Sequence, residues 1–316
     1  MRVVEIKDKA VAVGTREELT PGLGQALIRV HAAGLNGADP TQVAGFYPPP
    51  PEAGVPGDIP GMELAGEVVA SAAPVPRFEP GARVMAIVAG AAQAEFAVVD
   101  ERQLLPVPES LGWSEAGGFP EVFFTAYDAI VRQAGLRSGQ RLLVNGAGGG
   151  VGTAAVQLGH VLGADVTASV RNEKNRAAVE ELGADRALAP DEAFEHGPFD
   201  VILELVGAPN LPADVKSLAT WGTIVVIGVG AGHQETLDLR RLMVTRGTVR
   251  ASTLRYRTTE EKALLAREIE TSVLPLVADG RVRVPLEAEF PLSDAPAAYE
   301  RFTAGGHLGK IVLRCT

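Results

Sequence analysis

Residues 145–158, NGAGGGVGTAAVQL, place four glycines in the five positions from Gly148 to Gly152, between the apolar run RLLV and an alanine-rich helical pattern. A strand ending at Asn145 and a helix opening near Val151 gather backbone N–H groups at a helix N-terminus. There they and the helix dipole favour a negatively charged group. Missing β-carbons let a diphosphate approach the main chain. The strict Gly-x-Gly-x-x-Gly spacing is not met. Gly146, Gly149 and Gly152 instead give Gly-x-x-Gly-x-x-Gly, a variant of the dinucleotide fingerprint in its expected strand–turn–helix setting. This predicts a dinucleotide on Gly146, Gly149, Gly150 and Val151; the plainer alternative is a close-packed turn of an α/β domain that binds nothing.

The rest of the chain supports a turn of the first kind. From about residue 119, strand-like runs (RLLVNG, DVTASV, DVILELVG, GTIVVIG) alternate with segments of helical spacing such as KNRAAVEELG, NLPADVKSLAT and LDLRRLMVTRG. Apolar strands spaced by helices imply a parallel sheet covered on both faces. Before residue 119, short runs (QALIRVHAAGL, ELAGEVVAS, ARVMAIVAG, AEFAVV) between Gly/Pro turns read as a mainly β domain. The stretch GFYPPPPEAGVPGDIPG is too rich in proline for regular structure and reads as a loop over an opening. After about residue 255, EEKALLAREIETSVLPLVADG is helical, VRVPLEAEFPL strand-like, DAPAAYERFTAG helical and KIVLR a last strand.

Charge and cysteine content remove several function classes. A formal net charge of −10 disfavours nucleic acid or an anionic membrane as the main partner. The apolar runs are too short for a spanning helix and the N-terminus lacks a leader-like block, so a cytoplasmic setting is expected. The single cysteine, Cys315, rules out an internal disulfide or a cysteine zinc knuckle, and the five histidines lack metal-ligand spacing. No metal is expected.

An NAD site usually offers a carboxylate at the end of the second strand, about 20 residues past the glycines. Here that strand ends in Ser169, Val170 and Arg171, with Lys174 and Arg176 following. A hydroxyl and a guanidinium suit the 2′-phosphate of NADP(H). Glu173 is the dissenting residue, and a merely solvated helix start is the plainer reading.

Taken together, the motifs LNGADPTQVAGFYPPPP, GMELAGEVV, FPEVFFTAYDAI, GAGGGVGTAAVQL, TRGTVRASTLRYR and LGKIVL resemble, in this order, the medium-chain dehydrogenase/reductase superfamily. Within it they are similar to the zinc-independent quinone oxidoreductases, above all the p53-inducible branch. The resemblance implies a GroES-like, mainly β catalytic domain (1–118 plus 256–316) and a Rossmann doubly wound domain (119–255). It also implies homodimers. Zinc-dependent relatives have a cysteine where this chain has Asn36 and a histidine where it has Met62, neither a credible zinc ligand here.

By the same resemblance, Asn36 borders the nicotinamide and Tyr47 meets the acceptor, while Asp39 either joins them or braces their segment. Thr125, Val206, Gly228, Val229, Ser252 and Leu254 fall beside the cofactor; a capping role for Thr125 and ordinary packing for the last two are the alternatives. The chemistry expected is direct hydride transfer from NADPH to a quinone or enone, already activated by conjugation. A 2-enoyl thioester reductase and a non-catalytic NADPH-binding redox sensor are the alternatives.

Overall fold

The structure, a computed structural model, describes residues 1–73 and 76–316. It divides into two compact units. Met1–Phe124, Leu254–Gly305 and Lys310–Thr316 make one, and Thr125–Thr253 with Gly306–Gly309 make the other.

The second unit is built on a six-stranded sheet. Its strands Arg186–Leu188, Asp165–Ser169, Arg141–Asn145, Phe199–Glu204, Leu218–Val226 and Thr248–Ala251 neighbour one another in that order, every pair parallel. The apolar runs expected as strands are these strands, buried along most of their length because helices cover the sheet. On one face Leu143, Ile202, Ile224 and Phe199 pack against Val215 and Leu218. The chain's first strand in this unit, Arg141–Asn145, lies inside the sheet with later strands on both sides. The carboxyl ends Asn145 and Glu204 are paired across that reversal of strand order, where doubly wound sheets open a crevice for ligands.

The first unit is the GroES-like one. Its seven-stranded sheet runs Leu286–Pro291, Lys310–Arg314, Gln25–Gly34, Glu63–Ser71, Arg83–Ile87 and Leu105–Pro106, with Phe96–Asp100 also paired to Gln25–Gly34. Its neighbours are antiparallel except for the parallel pair Leu286–Pro291 and Lys310–Arg314. The C-terminal strand therefore joins the N-terminal sheet, and Ile311 and Leu313 share a core with Ile28, Val30, Leu64 and Val84. The antiparallel arrangement has one consequence for function. Lys310 opens one strand, Asn36 follows the end of the next, and Glu63 opens the third, so all three reach the same edge.

Candidate active site

Two groups of residues are candidates for the chemistry, one in each unit. In the nucleotide unit the strand does end at Asn145, and the helix runs Gly150–Val161 with Gly149 before it. The glycines do different work. Gly146 takes φ +77°, which favours glycine, and a Cβ on Gly152 would lie 2.4 Å from the Gly146 carbonyl oxygen, so neither tolerates a side chain. A Cβ on Gly148 or Gly149 would meet nothing closer than 3.7 Å, so packing alone does not demand glycine at these two positions. The N–H groups of the first helical turn have no intrahelical acceptor and point where an anion would be held.

Beyond the glycines, Ser169 is buried and its carbonyl accepts from the Ala147 N–H at 3.1 Å, tying the second strand to the turn. Arg171 and Lys174 are exposed, and neither enters an ion pair with another described residue. Glu173 is exposed too, in a short 3-10 turn, Glu173–Asn175, that Asn172 caps by accepting the Lys174 N–H at 3.2 Å. Asn172 and Asn175 both donate to the Gly306 carbonyl, at 2.9 and 3.2 Å, so the segment 306–309 lies along this turn. Gly309 adds a bond to the Gly148 carbonyl at 2.9 Å.

A polar knot that sequence reasoning missed organises the crevice. Asn145 Nδ2 donates to Glu204 Oε2 at 2.7 Å and Asp214 Oδ1 at 2.8 Å. Glu204 Oε1 in turn accepts the N–H groups of Val206 and Gly207, at 2.5 and 2.6 Å. Burial, reinforced by the charge of Glu204, pushes the Asp214 carboxyl up to about 8. Val206, Gly228 and Val229 follow the ends of their strands, and Ser252 follows Thr248–Ala251, donating its N–H to Val226 at 3.1 Å. Leu254 is buried in the other unit. Thr125 is buried near the C-terminal end of helix Pro120–Tyr127, away from the helix start where a cap acts.

In the GroES-like unit, Asn36 stands in a dense network. Its Nδ2 donates to Glu63 Oε1 at 2.8 Å and to the Gly34 carbonyl at 3.4 Å, and its Oδ1 accepts from Lys310 Nζ at 2.7 Å. Lys310 Nζ also donates to Glu63 Oε1 and the Leu35 carbonyl, each at 2.6 Å, and it is 2% exposed. The other Glu63 oxygen accepts the Glu121 N–H at 2.9 Å. Neither Lys310 nor Glu121 was singled out by sequence; a lysine at a strand start normally reads as surface, and only its neighbours in the folded sheet bury this one.

Asp39, fully buried, accepts the Asn36 N–H at 2.8 Å and Gln93 Nε2 at 3.4 Å through Oδ2, while Oδ1 has no partner among the described residues. Burial pushes its carboxyl up to about 6, against the Asn36 N–H and the charges of Lys310 and Arg255. Glu121 is pushed to about 8, by burial of its carboxyl first and by the charge of Glu63 second. Tyr47 lies in the proline-rich stretch, where the only regular structure is a 3-10 turn at Pro51–Ala53. It meets Tyr256 edge to face with ring centroids 5.5 Å apart.

The donor set does not fit a zinc ion. Asn36 and Met62 stand at the two family ligand positions, and the Glu63 carboxylate already accepts from Lys310, which makes an ion pair with it. The glycine turn, by contrast, fits a dinucleotide, because its open positions form a cradle that a side chain would fill.

A doubly wound nucleotide unit with this turn, joined to a GroES-like unit, defines a class of nicotinamide-dependent oxidoreductase. Residues 22–135 match the alcohol dehydrogenase GroES-like domain and residues 150–270 the zinc-binding dehydrogenase domain. The chain belongs to the medium-chain dehydrogenase/reductase superfamily. It is similar to mouse quinone oxidoreductase, 29% identical over 93% of this chain and 90% of that protein. It is also similar to the polyketide synthase GfsB of Streptomyces halstedii, at 32% identity over 92% of this chain, which spans only 5% of that relative. Among solved structures, a mycobacterial protein complexed with NADPH superposes with a TM-score of 0.86 at 25% identity, covering 99% of both chains. No helix of the described residues is long and apolar enough to cross a membrane.

Proposed function

We propose that the chain is an NADPH-dependent, metal-free reductase of quinones or other conjugated carbonyls. The observation that carries the cofactor choice is the pair Arg171 and Lys174, exposed and in no ion pair among the described residues just beyond Ser169, where an NAD enzyme would present a carboxylate. Bound NADPH supplies the hydride. The first-turn N–H groups of Gly150 and Val151 hold its diphosphate, and Ser169, Arg171 and Lys174 hold the 2′-phosphate through charge-assisted hydrogen bonds. Val206, whose N–H is fixed by Glu204, sits with Gly228, Val229 and Ser252 at the sheet's carboxyl edge along the same ligand. Thr125 and Leu254 flank its nicotinamide end.

Asn36 does less donating than its position suggests. Both ends of its amide are engaged by Glu63 and Lys310, so its part is to present a fixed surface to the nicotinamide. Tyr47 contacts the acceptor and Asp39 holds Asn36 in place. A conjugated acceptor needs little Lewis-acid help, which suits a site without metal ligands. A cytoplasmic setting completes this reading, as does a homodimer. The edge strand Thr248–Ala251 is exposed throughout, and Trp221, Leu239, Met243 and Val244 are exposed in the same unit. An unpaired strand edge beside apolar side chains is a pairing surface for a second copy.

Steady-state rates with NADPH and NADH against 1,2-naphthoquinone and 9,10-phenanthrenequinone test the reading; a preference for NADH would reject the role of Arg171. Activity that survives exhaustive chelation is expected, and light scattering should report twice the chain mass. A second reading, reduction of a 2-enoyl thioester, draws support from the similarity to polyketide synthases. Turnover of crotonyl-CoA above that of either quinone would favour it.

A further inference from the structure

The proline-rich stretch that carries Tyr47 has little means of holding itself. Prolines at 48–51 donate no N–H, and the turn bonds within it are Ala53 N–H to Pro50 at 3.0 Å and Gly54 N–H to Pro51 at 3.3 Å. At its far end the Asp58 carbonyl accepts the Ile6 N–H at 2.8 Å and its carboxylate accepts from Arg16 at 2.8 Å, while the Tyr47 end is held from far along the chain. Arg255, 3% exposed, donates Nε–H to the Ala89 carbonyl at 2.8 Å, Nη1–H to the Tyr47 carbonyl at 2.6 Å and Nη2–H to Gln42 Oε1 at 2.5 Å. The Gln42 amide then donates from Nε2 to the Gly57 carbonyl at 2.9 Å. One guanidinium thus ties both ends of the stretch, directly at Tyr47 and through Gln42 at Gly57. The same group lies 5.1 Å from the centroid of the Tyr47 ring, and the next residue, Tyr256, abuts that ring edge to face. Lys262 Nζ holds the Arg255 carbonyl at 3.1 Å, so the clasp itself is anchored to helix Thr259–Ser272.

We propose that Arg255 is a positioning residue that fixes the Tyr47 ring and its proline-rich loop, and so sets the preference for planar aromatic acceptors. The proposal rests on the reductase reading for its catalytic half. Its physical basis is the planar fork of arginine, which reaches acceptors on three separate segments at once; lysine, a single-point donor, cannot. Ordering a loop in advance removes that entropy from acceptor binding, so loss of the clasp falls on KM for the acceptor and leaves cofactor affinity alone.

The test compares R255K, Y47A and the double variant in the full-length protein. With 9,10-phenanthrenequinone, R255K is expected to raise KM about tenfold with a much smaller change in kcat. NADPH affinity by fluorescence titration should stay at the wild-type value. Because Arg255 acts through Tyr47, the double variant should be no worse in KM than Y47A. Hydrogen exchange supplies a readout free of turnover: the hydrogen-bonded amides of Phe46, Ala53 and Gly54 should exchange faster in R255K than in the wild type. Where R255K does not fold, Q42L cuts only the arm to Gly57 and should speed exchange at Ala53 and Gly54. An unchanged KM, additive losses in the double variant, or unchanged exchange at these amides would overturn the proposal. A wild type that reduces no acceptor, with faster loop exchange in R255K, would defeat the reductase reading and leave the clasp standing.

Discussion

The two chemical centres of the molecule handle charge in opposite ways. At the glycine turn, the charged groups Arg171 and Lys174 are exposed and enter no ion pair among the described residues, and Gly148 and Gly149 present no side chain. Around Asn36 the charges are buried and committed to each other, with Lys310 bonded to Asn36, Glu63 and a carbonyl. The first arrangement leaves hydrogen-bonding capacity for an incoming anion. The second has spent its capacity on fixing geometry. A surface cation costs the fold almost nothing to keep, whereas a buried ion pair survives only while both partners are present. Mutations should therefore separate the two centres, stability on one side and ligand affinity on the other.

The largest effect is expected at the buried centre. K310M leaves the Glu63 carboxylate enclosed without its cation, and urea unfolding should show a loss of about 3–5 kcal/mol. Replacing both partners, as E63Q with K310M, should recover part of that loss, since the penalty lies in the uncompensated charge. Equal instability in the double variant would show that packing, not charge, holds the edge together.

R171A should do the reverse. Losing a charge-assisted contact is expected to weaken NADPH by roughly 1.5–3 kcal/mol, with NADH affinity and the unfolding midpoint little changed. Titration calorimetry with both nucleotides checks this. Equal losses for the two would move Arg171 from the binding side of the comparison to the folding side.

A third effect is a pH dependence. Glu121 binds its proton more tightly in the folded chain than in the unfolded one, where it titrates near 4.5, so its contribution is complete below that pH and disappears as pH rises through about 8. Stability of the wild type should fall across this window. E121Q is neutral throughout and should flatten the fall, measured as unfolding free energy at pH 5 and pH 8.5. Asp214 is pushed to about 8 in the nucleotide unit, so the slope that persists in E121Q reports on it in large part.

Much of the nucleotide unit was legible in the sequence because its signals are local. The strand end at Asn145, the helix start within a residue of Val151 and the need for glycine at 146 and 152 all follow from the run of residues itself. The catalytic unit's strands were legible too, along with the irregularity of the proline stretch. What stayed hidden was the cation that partners Asn36 and the clasp on Tyr47. Lys310 lies hundreds of residues from Asn36 in the chain, and Arg255 lies as far from Tyr47.

Backbone conformation and apolar periodicity act over a few residues, so the sequence by itself determined the strand–turn–helix cradle, the cation-bearing end of the second strand and the class of fold. Burial of a charge depends on which strands become neighbours. The return of Lys310–Arg314 alongside Gln25–Gly34 turned a lysine that reads as a surface residue into the centre of a buried network. Only the tertiary structure could decide that, because the desolvation that makes such a group consequential does not exist until the sheet has formed.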